Sequence, residues 1–95
     1  MKVVILFSMK SCPHCVHIKE LFDEHNIPYV DRDIHEYEDE YEEFVRVTEN
    51  EYVPAMMLLT LDEEENASNV RLLAPDRDYE DIFEGVEMVK KYFLN

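Results

Sequence analysis

Residues 3–16 read Val3-Val4-Ile5-Leu6-Phe7-Ser8-Met9-Lys10-Ser11-Cys12-Pro13-His14-Cys15-Val16, and the other segments are best understood outward from them. The short, continuous, β-branched run at Val3–Phe7 suits a buried parallel strand, covered on both faces. A polar loop follows, then Pro13, which fits a first helical turn because it has no N–H to lose there. The chain's only two cysteines stand three apart at that helix start. Positions i and i+3 share a helix face, so the two sulfurs can meet and form a disulfide. Cys12 falls at the helix N-terminus, where unpaired backbone N–H groups and the positive dipole end favour a thiolate. The thiolate is the nucleophile of disulfide exchange. A C-x-x-C placed this way reads as a redox dithiol.

Two other uses of the cysteines compete with that reading. A purely structural disulfide would close too small a loop to constrain the unfolded chain much. A zinc site would draw on Cys12, Cys15 and His17, with His14, His25 or His35 as a further ligand. Structural zinc normally takes four ligands, and no second C-x-x-C or H-x-x-x-H pair stands in the chain.

With 95 residues and a hydrophobic fraction of 46%, a single domain over 1–95 with one modest core is expected. Met1-Lys2 leads into only five strongly apolar residues, too few for a signal-peptide core or a membrane span. A cytoplasmic protein is therefore expected, and in a reducing compartment a lone cysteine pair is more often catalytic than structural. The formal net charge of −14 argues against nucleic acid or an anionic membrane as partner. That charge is uneven. Residues 1–19 contain no Asp or Glu but carry Lys2, Lys10, Lys19, His14 and His17, and all 23 acids lie from Glu20 onward. A buried strand lacks acids in any case. The same local balance would also favour a Cys12 thiolate and attract an anionic thiol.

After the cysteines, Ile18, Leu21, Phe22 and His25 fall on one face of a helix over 13–26. Asn26 and Pro28 end it, and Cys15 is expected to face inward while Cys12 stays exposed. Tyr29 to Ile34 alternates like an edge strand. Glu36 to Thr48 places Tyr37, Tyr41, Phe44, Val45 and Thr48 at helical spacing, with a solvated acidic face opposite. Ala55 to Leu61 and Val70 to Ala74 read as a hairpin around a polar tip, Asp62 to Asn69. A last helix carries Tyr79, Ile82, Phe83, Val86, Val89 and Phe93 on one face, with Asp78 as N-cap. The order is β-α-β-α-β-β-α: an α/β protein with a four-stranded mixed sheet flanked by three helices.

That order, with Lys10-Ser11-Cys12-Pro13-His14-Cys15 after the first strand and Thr48-Glu49-Asn50-Glu51-Tyr52-Val53-Pro54 before the third, resembles the glutaredoxin family of the thioredoxin-like fold. The resemblance implies a thiol–disulfide oxidoreductase that reduces protein or glutathione mixed disulfides. Cys12 would attack, Cys15 would resolve the mixed disulfide, and Pro54 would be cis. No bound cofactor is implied beyond the redox disulfide, with glutathione as co-substrate. Partners would be glutathione, disulfide-containing proteins and a reductase, and the protein would act as a monomer. Lys10 maps to the residue that binds the glutathione carboxylate, and Val53 to the residue whose backbone pairs with the glutathione cysteine. Pro13 and His14 border the same site. Asp76 or Asp78 would supply an acid to the γ-glutamyl end, with Arg77 a carboxylate partner. The alternatives are a thioredoxin-like electron donor, such as one serving ribonucleotide reductase, and a cysteine-ligated iron–sulfur or metal carrier.

The chain also departs from the family. His14 stands where a tyrosine is usual, and C-P-H-C resembles oxidising thiol oxidases of the same fold. Glu51 stands where a cation is usual, and Pro75 lies in place of a glycine pair. Weaker glutathione binding is expected from both changes.

Overall fold

The computed structural model describes residues 1–94. Its elements are β1 (Lys2–Ser8), α1 (Pro13–Glu24), β2 (Val30–Asp33), α2 (Glu38–Thr48), β3 (Ala55–Leu61), β4 (Ala67–Leu73) and α3 (Ile82–Leu94). The strands form one sheet in the order β2-β1-β3-β4. β1 pairs parallel with β2 and antiparallel with β3, and β3 pairs antiparallel with β4.

The continuous apolar runs are explained by two covered faces. Val4 and Leu6 of β1 and Met56 and Leu58 of β3 pack with Ile18 and Phe22 of α1 and Val86 and Val89 of α3. Ile5 and Phe7 point the other way, with Ala55, and meet Phe44 of α2. The period-2 alternation of a strand thus feeds two cores through one sheet. β2 is an edge strand as expected, but Val30, placed by the alternation on its apolar side, is exposed.

Helix α1 stops at Glu24, and His25 is an exposed C-cap rather than part of the buried face. Asn26 takes a positive φ of 55°. Asn26 N–H donates to the Asp23 carbonyl and Ile27 N–H to the Phe22 carbonyl, which satisfies the last helical carbonyls and turns Ile27 into the core.

Two other boundaries shift by three residues from the sequence expectation. β4 begins at Ala67, not Val70, so the turn is only 62–66. The Asp62 carboxylate accepts from the Glu64 and Asn66 N–H groups, and Glu65 has a positive φ of 63°. This tight turn brings Ala67 and Asn69 into register with Leu61 and Thr60 despite their poor strand propensity, with Ser68 the extra residue at the register shift. The second difference is that α3 starts at Ile82, and its cap is not Asp78. The Asp81 carboxylate accepts from Glu84 N–H at 2.9 Å, while Asp78 accepts from Ala74 N–H at 2.8 Å. Asp78 therefore closes the turn after β4, and Tyr79 lies in that turn rather than on the helix. No helix among the described residues is long and apolar enough to cross a membrane.

Candidate active site

The site is built where β1 hands the chain to α1. Cys12 is the N-cap of α1 in extended conformation, and Pro13 fills the first helical position. Cys12 and Cys15 are joined in a disulfide with a Cα–Cα distance of 5.2 Å. The Cys15 N–H donates to Cys12 Sγ at 3.1 Å, so the cap position aims one of the helix's spare donors at this sulfur.

Both cysteines are buried. Cys15 is 1% exposed and Cys12 only 7%, which corrects the expectation of an exposed Cys12. Helical spacing describes which face of α1 a residue occupies, but it says nothing about a loop arriving from 40 residues away. Here the segment before β3 covers Cys12. The Val53–Pro54 peptide is cis, and the Val53 carbonyl oxygen lies 4.0 Å from Cys12 Sγ.

Two residues that the sequence reading did not place at the site hold this segment. The Asn50 amide donates to the Pro75 carbonyl at 2.6 Å and accepts from Tyr52 N–H at 3.0 Å. The Tyr79 hydroxyl, 3% exposed as a residue, donates to the Pro54 carbonyl. Burial pushes the Tyr79 phenol well above the ordinary tyrosine range, and Asp78 and Asp76 add to the shift. The sequence signal for Tyr79 was present but pointed elsewhere, since its spacing to Ile82 and Val86 reads as one helix face. Gly85 of α3 makes room for it. A Cβ there would stand 3.3 Å from the Tyr79 ring and 3.2 Å from Met56 Cε.

The residues proposed to bind substrate divide between two hollows. His14, Val53, Pro54 and Asp76 line a groove of about 380 Å³ together with His17, Tyr52, Pro75, Tyr79, Glu80, Asp81, Ile82 and Phe83. Lys10 does not line it. It belongs to a second, polar hollow of about 240 Å³ behind Cys15, with Ser8, Lys19, Asp31, Asp33 and Glu36. There the Lys19 ammonium meets the Asp31 carboxylate at 2.7 Å, and the buried Ser8 hydroxyl donates to the same carboxylate. Arg77 turns to Asp78, at 3.7 Å, and neither lines the groove. Pro13 is exposed at the helix start. Glu51 is exposed, and its carbonyl accepts from the Tyr41 hydroxyl at 2.7 Å. Burial first, and then the Glu51 charge, raise the Tyr41 phenol, and Glu51 does not line the groove. Among the described residues no three His, Cys, Asp or Glu side chains gather as a metal-ligand set.

A parallel-then-antiparallel four-stranded sheet with a C-x-x-C at the first helix and a cis proline opposite it defines a thioredoxin-fold protein. Solved structures agree on the fold. The thioredoxin-like protein BC3987 superimposes with a TM-score of 0.59 at 15% identity, covering 90% of this chain and 97% of that one. A point mutant of it gives 0.60 at 15% identity, with 92% and 97% covered. Oxidised thioredoxin from Plasmodium falciparum gives 0.52 at 16% identity, with 96% and 80% covered. No curated protein matches the chain. The glutaredoxin family model matches residues 4–58, more than half of the chain, and the chain belongs to that family. It is a thiol–disulfide oxidoreductase by family and fold.

Proposed function

We propose that this protein reduces protein and glutathione mixed disulfides through the Cys12–Cys15 dithiol, in the cytoplasm and as a monomer. The observation that carries this is the placement of Cys12 Sγ between a helix-start N–H and the Val53 carbonyl. The N–H favours the thiolate. The Val53 carbonyl, at the end of an extended segment, is an acceptor for the backbone of an incoming chain.

In the reduced protein the Cys12 thiolate attacks one sulfur of a substrate disulfide. A Cys12–substrate S–S bond forms as the substrate's own S–S bond breaks, and the departing thiolate takes a proton from water. Cys15 then loses its proton to solvent and attacks Cys12 Sγ. The Cys12–Cys15 disulfide closes and the second substrate thiolate leaves, so two electrons pass from the dithiol to the substrate. Two glutathione molecules, becoming one glutathione disulfide, restore the dithiol.

The test is turnover of a protein disulfide followed by NADPH consumption, with glutathione and glutathione reductase in one arm and thioredoxin reductase in the other. Turnover in the glutathione arm is expected. Turnover only with thioredoxin reductase would make the protein a thioredoxin-like donor, and none in either arm would overturn the assignment.

A further inference from the structure

The groove beside the disulfide is unlike the rest of this acidic surface. Its floor is Val53, Pro54 and the ring of Tyr79, and its walls carry two exposed aromatics. Tyr52 is 65% exposed and Phe83 is 56% exposed. His17 stands edge-on to Phe83 with ring centroids 5.4 Å apart, which holds that wall upright. Three carboxylates, Asp76, Glu80 and Asp81, line the same groove, and no Lys or Arg does. None of the three is in an ion pair among the described residues. Arg77, the cation nearest in sequence, is turned to Asp78. Apolar walls with unpaired carboxylates complement a chain that brings an apolar residue and positive charge together.

We propose that this groove selects protein disulfides whose cysteine lies in an extended segment carrying an apolar residue and Lys or Arg. The proposal deepens the exchange chemistry proposed above and rests on it. The groove runs into the Val53 carbonyl and His14, so an extended chain paired at Val53 lays its neighbouring side chains along Tyr52 and Phe83. Basic residues there meet Asp76, Glu80 and Asp81. An anionic segment meets like charge at the same places, as does glutathione with its two carboxylates and one ammonium.

The experiment uses the reduced full chain and three short peptides, each with one cysteine in mixed disulfide with 2-mercaptoethanol. They differ only in flanking residues: Phe with Arg, Phe with Gln, or Phe with Glu. Cys12 attacks the peptide sulfur, 2-mercaptoethanol leaves as its thiolate and is protonated, and Cys15 then displaces the peptide thiolate. Second-order rates are measured at about 20 mM and about 500 mM salt. The Arg peptide should react about tenfold faster than the Glu peptide at low salt, with Gln between, and the gap should narrow at high salt. Glu80→Gln with Asp81→Asn should close most of the gap, asparagine keeping a helix cap at 81. Glu63→Gln with Glu64→Gln removes the same charge at the far end of β3 and should leave the gap open.

Equal rates for the three peptides overturn the proposal. So does a gap that both double variants close equally, because the net charge of the whole protein would then be its cause. A neutral peptide that is not reduced at all overturns the exchange chemistry itself, an outcome distinct from equal rates.

Discussion

The disulfide separates two hollows built on different plans. Behind Cys15, charged groups face one another. Lys19 pairs with Asp31, and Ser8 donates to Asp31, so these three groups hold α1 against β2. On the side of Val53, the walls are apolar and aromatic, and the carboxylates have no cationic partner among the described residues. The contrast teaches which side is free to bind. Polar groups satisfied internally contribute to the fold, whereas exposed aromatic rings beside unpaired charges are left for a partner.

The hinge between the two sides is Cys12, and substituting it gives the largest effect. Cys12→Ser should reduce disulfide reduction by at least ~10³-fold, because the serine hydroxyl is not ionised at neutral pH. Cys15→Ser should still accept one glutathione on Cys12 while losing two-electron reduction, which intact mass and turnover together report. In the reduced wild type, alkylation against pH should show Cys12 ionising below the ~8.5 of a free cysteine. Equal titration of both cysteines near that value would break the assignment of Cys12 as nucleophile.

Next come the residues that shape the groove side. Gly85→Val should destabilise the protein by about 1–3 kcal/mol, because its methyls meet Met56 and a Tyr79 ring held at Pro54. Urea unfolding measures it, and a neutral result would mean that α3 can retreat from Tyr79. Tyr79→Phe leaves the buried Pro54 carbonyl without its donor and should cost about 1–2 kcal/mol.

The same tyrosine sets an alkaline limit. Its folded pKa lies above the 10.0 of an ordinary tyrosine, so above that pH the unfolded chain gives up the proton first. The stabilisation is complete below pH 10 and is lost as pH rises past it toward the folded value. Tyr29 and Tyr41 are shifted the same way. Tyr79→Phe should therefore lose less stability than wild type in alkaline unfolding series, without abolishing the loss.

The smallest effect belongs to the polar side. Lys19→Met breaks a partly exposed ion pair, with side-chain exposures of 31% and 42%. It should cost no more than about 1 kcal/mol. Turnover of a neutral disulfide is expected to change less than in Cys15→Ser. A loss as large as that of Cys15→Ser would show that the polar hollow takes part in the chemistry.

Much of this molecule was legible locally. The apolar runs of β1 and β3, the Pro13 helix start and the Asn26-Ile27-Pro28 stop each depend on neighbours within one turn or one strand. The edge position of β2 showed in its alternation, and the motif pair of C-P-H-C and Val53-Pro54 carried the family. Where local signals conflicted, the sequence misled. Asp78 is a good cap residue followed by acids, yet it accepts from Ala74, and the cap passes to Asp81. Tyr79 has helical spacing but serves as the floor of a groove.

The sequence by itself therefore determined the elements, their order and the redox pair, because periodicity, caps and spacing act over a few residues. Only the tertiary structure decided the burial of Cys12, the separation of Lys10 from the groove and the position of Glu51 outside it. It also decided the meeting of Tyr52, Phe83 and the three acids beside the disulfide. Each depends on loops from β1, β3 and β4 converging at one end of the sheet. That convergence is set by hydrogen bonds such as Asn50 to Pro75 and Tyr79 to Pro54, each linking residues 25 apart, beyond the reach of any local pattern.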